Sequence, residues 1–142
     1  MNLGQIVGNK ENSIIKIGAD ATIGEAVALL SEHQIGALVV TSDENTLNGI
    51  LSERDIVRSL ANSSKPTMSL LVSELMTTDV HTCTLSASVS ELMTLMTANR
   101  IRHVPIITDG KLSGIVSIGD IVKARLNELE AEHHEMEAYI KG

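Results

Sequence analysis

Gly49-Ile-Leu-Ser-Glu-Arg-Asp-Ile-Val57 and Gly114-Ile-Val-Ser-Ile-Gly-Asp-Ile-Val122 are two versions of one phrase, and the chain around them is duplicated too. Walking back, Ala21 aligns with Ala87, Glu25 with Glu91, Leu29 with Leu95, Ile35 with Ile101 and Asp43 with Asp109. The second copy is then one residue shorter in a loop. After it Leu47 aligns with Leu112, Gly49 with Gly114, Ser52 with Ser117 and Asp55 with Asp120. Ordered matches broken by one loop change indicate an internal repeat, which sets the fold before any single element does.

Each copy reads β-α-β-β-α. A β-branched run opens it, Ile14, Ile15 and Ile17 in the first and Val80 to Thr84 in the second. A helix follows, with an apolar face of Ile23, Ala26, Val27 and Leu30, or Val89, Leu92, Met93 and Met96. Thr22 and Ser88 stand where N-caps belong. Next come an apolar strand (Ala37 to Thr41, His103 to Ile107), a polar turn (43–45, 109–111), and a second strand (Gly49 to Leu51, Gly114 to Val116). A helix from Ser52 or Ser117 closes the unit. Pro105 inside an apolar run predicts a sheet edge or a break in pairing. Ser73 is the expected cap of a short connecting helix ending at Met76. The boundaries are 1–61 for repeat one, 62–76 for linker and connector, 77–126 for repeat two and 127–142 for a helical extension. One repeat is marginal alone, so the two are expected to bury their faces against each other as one α+β body.

Composition excludes several functions. The 142 residues carry a net charge of −7 and one aromatic residue, Tyr139. Base stacking on aromatic faces is unavailable, and the charge repels phosphate backbones, so no nucleic acid is expected. The single Cys83 excludes an intrachain disulfide and a multi-cysteine zinc site. No stretch reads as a signal peptide or a membrane span, so a soluble, cytoplasmic protein is expected. Cys83 beside His81 lacks a third orienting group, and no catalysis is expected of it. His133, His134, Glu130 and Glu137 read as a solvated helix face rather than a metal site. Val122, Leu126, Leu129, His133, Met136 and Ile140 form a narrow seam along the last helix, which points to a homodimer.

The stretches GILSERDIVRSL (49–60) and RIRHVPIITDGKLSGIVSIGDIVKA (100–124) resemble CBS domains, and the tandem pair resembles a Bateman module. The resemblance implies two β-α-β-β-α repeats about a pseudo-twofold axis, here with a long C-terminal helix added. It implies a non-catalytic regulatory fold with two clefts between the repeats. The ligand it implies is an adenine nucleotide (AMP, ADP or ATP), with NAD(H) or S-adenosylmethionine as further options. A constitutive dimeric scaffold with vestigial clefts is the alternative.

Within that resemblance, Asp55 and Asp120 are the ribose acceptors, and Ser52 and Ser117 help hold ribose or phosphate. A carboxylate only accepts, so a vicinal diol can donate to both its oxygens. The first helical turn favours a phosphate, and glycine at 49 and 114 admits close approach. Ser-x-x-Asp reads equally as a capping box, and that alternative stays open. Each cleft is expected to join the acidic motif of one repeat to the first strand and mid-repeat turn of the other. Asp55 should face Thr82, Cys83, Thr84, Ile101, Arg102 and His103. Asp120 should face Ile14 to Ile17, Ile15 among them, together with Ile35, Gly36 and Ala37. Adenine would pack between aliphatic side chains such as Ile50, Ile101 and Ile115. Arg54, Arg102 and His103 make the Asp55 cleft the expected phosphate site. The Asp120 cleft should be empty or hold a less charged group such as a nucleoside.

Overall fold

The computed structural model describes residues 1–7, 14–43, 45–62 and 64–141. Its elements are α1 (Leu3–Val7), β1 (Lys16–Ile17), α2 (Ile23–His33), β2 (Ala37–Thr41), β3 (Leu47–Ser52), α3 (Glu53–Asn62), a 3-10 turn (Thr67–Ser69), α4 (Val72–Leu75), α5 (Val89–Asn99), β4 (His103–Thr108), β5 (Lys111–Ser117) and α6 (Ile118–Lys141). This is the expected α+β pair of repeats with a long C-terminal helix. Glu44 of the first polar turn and Ser63 of the linker lie outside the described residues.

The duplicated sequence builds duplicated local structure. Thr22 and Ser88 cap α2 and α5, and Glu25 and Glu91 reach back to complete both boxes. Both helices stop at a left-handed residue, Gln34 and Arg100, each at φ 53°. β4 and β5 join through Asp109-Gly110, both at positive φ (52° and 77°), the pattern of a tight twisted hairpin. In the first repeat Asp43 Oδ1 instead accepts from the Asn45 and Thr46 N–H groups (2.9 and 2.8 Å). Those bonds hold its carboxyl below the usual value.

Each repeat has its own aliphatic core, filled from equivalent positions. Ile23, Ala26, Leu30, Leu38, Val40, Leu51 and Ile56 in the first correspond to Val89, Leu92, Met96, Val104, Ile106, Val116 and Ile121 in the second. With no Phe or Trp to fill volume, close packing falls to branched aliphatics.

The first strand is where the copies part. β1 pairs in parallel with β2, and Val39 N–H donates to Ile15 C=O (3.3 Å). The expected strand over Val80 to Thr84 does not form; a single bridge, Cys83 to Ile106, replaces it. The cause is Pro105. It occupies the place of Val39 and has no N–H to give the carbonyl of His81, so the ladder stops at Cys83.

A second correction concerns the connector. Ser73 lies inside α4 rather than capping it. The cap is the Leu71 backbone, whose N–H donates to Glu74 Oε2 (2.7 Å). α1 has a reciprocal box instead, with Asn2 N–H donating to Gln5 Oε1 (2.9 Å) and Gln5 N–H donating to Asn2 Oδ1 (3.1 Å). These two short helices are exchanged. α4 leads into the second repeat but docks on the first, through Val72 N–H to Ala21 O (2.8 Å) and Ser73 N–H to Ala19 O (3.0 Å). α1 precedes the first repeat but docks on the second, through Leu3 N–H to Ala87 O (2.9 Å) and Gly4 N–H to Leu85 O (3.0 Å). Leu3 and Val72 are each fully buried in the core they join.

Leu3→Ala should therefore destabilise the second repeat although residue 3 is far from it in sequence. The expected loss is about 2–5 kcal/mol in denaturant unfolding. Hydrogen exchange should show the α5 amides losing protection before those of α2.

Candidate functional site

Two clefts lie between the repeats, one at each Ser-x-x-Asp turn. Where β3 passes into α3, Ser52 N–H donates to Asp55 Oδ2 (2.9 Å), Ser52 Oγ–H donates to the same oxygen (3.0 Å), and Asp55 N–H donates to Ser52 Oγ (3.3 Å). Where β5 passes into α6, Ser117 N–H donates to Asp120 Oδ2 (3.0 Å) and Asp120 N–H to Ser117 Oγ (3.2 Å). The capping box is thus formed in both copies. It does not use up the carboxylate. Oδ1 of each aspartate accepts no hydrogen bond among the described residues, and both aspartates line a cavity. The expectation that both oxygens await a diol is corrected: Oδ2 serves the cap, and Oδ1 is the open acceptor.

The Asp55 cleft has a volume of about 340 Å³. Ser52, Arg54, Asp55, Ile101, Arg102 and His103 line it as expected, with Ile50 on the apolar side. Thr82, Cys83 and Thr84 do not line it. The cleft wall is instead Asp79, Val80 and His81. Cys83 turns into the second repeat's core, with Sγ 3.7 Å from Pro105 O. The repeat alignment carried this signal: it pairs Cys83 with buried Ile17, and His81 with cleft-lining Ile15. Burial pushes the Cys83 thiol up to about 11.

Arg58 and Arg100 were missed and also line this cleft. Arg58 follows Arg54 by one turn of α3, a spacing visible in the sequence. Arg100 is the left-handed cap of α5, and its carbonyl accepts from Arg54 Nη1 (3.4 Å) across the repeats. Four arginines thus face Glu53, Asp55 and Asp79.

The Asp120 cleft is larger, about 460 Å³. Ile15, Ile35, Gly36, Ala37, Ser117 and Asp120 line it as expected, and Ile115 joins them; Ile14, Lys16 and Ile17 do not line it, and Ile17 is buried in the first repeat's core. Ile115 therefore belongs here, while Ile50 and Ile101 share the other cleft. Gly4 and Ile6 of the exchanged α1 also line it, which the sequence did not reveal. Asp120 is its only formally charged side chain among the described residues. His103, expected only in the Asp55 cleft, borders this one as well. Burial is the largest influence on that imidazole and holds it below its ordinary value, with Arg102 adding to the effect and Glu53 and Asp120 opposing it.

The asymmetry is one of substitutions at matched places. Ile15 becomes His81, Gln34 becomes Arg100, Gly36 becomes Arg102, Ala37 becomes His103, and Gly119 stands where Arg54 does. Gly49 does not face the ligand space. A Cβ there would lie 2.8 Å from Thr77 O, and its role is to admit the connector, which pairs with Ile50 through bonds of 3.0 and 2.9 Å. Gly114 does line the Asp120 cleft.

Among the described residues no cluster of His, Cys, Asp and Glu is arranged to hold a metal, and no helix is long and apolar enough to cross a membrane. His133 instead pairs with Glu137 on the exposed face of α6 (2.9 Å).

The profile described as the CBS domain matches residues 10–62 and 72–127. A CBS domain-containing protein of Arabidopsis thaliana, CBSX3, mitochondrial, is 39% identical over 127 residues, covering 87% of this chain and 62% of that protein. The chain thus spans less than two thirds of that relative. The crystal structure of the CBS-domain containing protein ATU1752 from Agrobacterium tumefaciens superposes with a TM-score of 0.83 at 39% identity, covering 88% of this chain and 99% of that one. The CBS domain pair of protein MJ0100, solved with 5′-methylthioadenosine and S-adenosyl-L-methionine, superposes at 0.76 with 26% identity, covering 87% and 98%.

A thiol at about 11 is ionised to roughly one part in a thousand at pH 8. Alkylation of Cys83 by iodoacetamide should therefore be slow in the native protein and become fast on unfolding. Native labelling at the rate of a free thiol would contradict its placement.

Proposed function

Because this chain belongs to the CBS domain family, with both repeats present, we propose that it is a non-catalytic regulatory module that binds adenosine ligands in two unlike clefts. The Asp55 cleft takes a phosphorylated adenine nucleotide (AMP, ADP or ATP), and the Asp120 cleft takes an uncharged or weakly charged adenosyl group. The observation that carries the reading is the arginine set Arg54, Arg58, Arg100 and Arg102, gathered from both repeats around one cleft and without counterpart around the other. Arginine suits phosphate because its planar fork donates several hydrogen bonds at once. Ser52 and Asp55 Oδ1 supply the ribose contacts, and Ile50 and Ile101 flank the base. In the second cleft Ser117, Asp120, Ile35 and Ile115 repeat those roles without the cations. Both volumes fall in the range of small-molecule sites. The MJ0100 pair, with its two adenosyl ligands, supports this choice of ligand class. Two charge-assisted phosphate contacts and a ribose contact are consistent with micromolar affinity, about −8 kcal/mol.

A ligand spanning the repeats shifts their relative orientation only as far as its affinity differs between the two states. The receiving surface in this reading is a homodimer. Val57 (61% exposed) on α3 and Leu126 (56%) and Met136 (64%) on α6 are large apolar side chains left uncovered by the single chain. The same surface favours the second reading, a constitutive dimeric scaffold.

Calorimetry separates the two readings. AMP should bind the wild type. Asp55→Asn, which keeps a cap acceptor and removes the charge, should weaken AMP at least tenfold, about 1.4 kcal/mol. Asp120→Asn should weaken adenosine and spare AMP. No heat with AMP, ADP, ATP, NADH or S-adenosylmethionine would leave the scaffold reading standing alone; equal losses from both variants would remove the difference between the clefts. Truncation after Ala124 should convert the dimer to monomer in sedimentation velocity.

A further inference from the structure

Gly36 and His103 are the residues common to the walls of both clefts. The His103 ring lies against the Gly36 backbone. A Cβ on Gly36 would fall 3.2 Å from its Cε1 and 3.4 Å from its Nε2, and 3.4 Å from Glu53 Oε1. The ring is half-buried, and neither nitrogen has a hydrogen-bond partner among the described residues. The ring nitrogens are not sealed from solvent, so both stay available to a ligand in the adjoining space. The ionic groups around it are Glu53 of α3, Asp120 of α6 and the neighbouring Arg102. Burial holds its pKa below the ordinary imidazole value, which favours the neutral form. A neutral imidazole has one N–H donor and one acceptor nitrogen, and the state of each is fixed by what the other meets.

We propose that His103 couples the two clefts, its imidazole presenting a donor to a phosphate in the Asp55 cleft and thereby an acceptor to the ligand of the Asp120 cleft. The coupling rests on the reading of both clefts as adenosine sites. A phosphate oxygen only accepts, so it selects the tautomer whose N–H points toward it. The remaining nitrogen then accepts, and it favours a neighbour with hydroxyl or amino hydrogens, such as an unphosphorylated nucleoside. A second phosphate would meet an acceptor and be disfavoured. Binding linkage makes the effect reciprocal: nucleoside in the Asp120 cleft tightens AMP in the other. The first repeat holds Ala37 at the matching place, so the device is built by one substitution on a symmetric frame.

The experiment is a methyl NMR titration of the full chain, with Ile50 reporting the Asp55 cleft and Ile115 the Asp120 cleft. Adenosine is titrated with no AMP and with one equivalent of AMP bound. The expected result is adenosine binding at least threefold tighter at Ile115 when AMP occupies the Asp55 cleft. In His103→Ala the ratio should fall to one while AMP still shifts Ile50. Gly36→Ala keeps the imidazole and crowds it from the other side, and should lower the ratio at least twofold. A wild-type ratio of one or less, or a ratio that survives in His103→Ala or is unchanged in Gly36→Ala, overturns the coupling. If neither AMP nor adenosine moves either methyl, the reading of the clefts fails first and the coupling with it.

Discussion

The exchange of α1 and α4 between the repeats holds the rest of the structure in place. Each short helix feeds backbone N–H groups to the carbonyls that precede α5 or α2, and each drops one apolar side chain, Leu3 or Val72, into a core it does not adjoin in sequence. Buried backbone carbonyls need such partners. The connector that carries α4 also runs along β3, where Gly49 lets Thr77 approach. The two clefts are the space left between repeats braced in this way. Neither repeat is complete alone, and a load applied before residue 1 would be carried by the second repeat, not the first.

On that frame the same Ser-x-x-Asp turn does two jobs twice. One carboxylate oxygen closes the helix start, and the other is left toward the cavity. The capping bonds fix the orientation of the carboxylate from within the turn itself. Specificity is then delegated to the neighbours. Charge enters one cleft through Arg54, Arg58, Arg100 and Arg102 and leaves the other with a single aspartate. The twofold design thus yields two unlike clefts, differing in side chains and in the one backbone element, the first strand, that the second repeat lacks.

The fold was legible because it was written twice: the matching phrases at Gly49 and Gly114, the caps at Thr22 and Ser88, and the apolar faces of α2 and α5 all act through neighbours close in sequence. Much of the site was legible for the same reason. Apart from Arg58, whose spacing from Arg54 was local, the site residues that escaped reading depended on contacts that cross the repeats. Nothing local in Met1 to Val7 says that α1 borders the Asp120 cleft, and nothing local in Arg100 says that it borders the Asp55 cleft. The misplacement of Cys83 differs in kind. Periodicity put the strand from Val80 to Thr84 in the right neighbourhood, but the aligned pairs Ile15–His81 and Ile17–Cys83 decide which residue faces the cleft and which the core.

Pro105 leaves the walls of the two clefts tied to the sheet to different degrees. The wall of the Asp120 cleft is a paired strand, with the Ile15 carbonyl pinned by Val39. The wall of the Asp55 cleft hangs from one bridge at Cys83, and the His81 carbonyl has no ladder partner among the described residues. One wall is therefore tied along its length, and the other at a single point. The cleft lined by the arginines is thus the one whose wall has fewer backbone bonds resisting a displacement, so opening it locally disrupts less of the sheet.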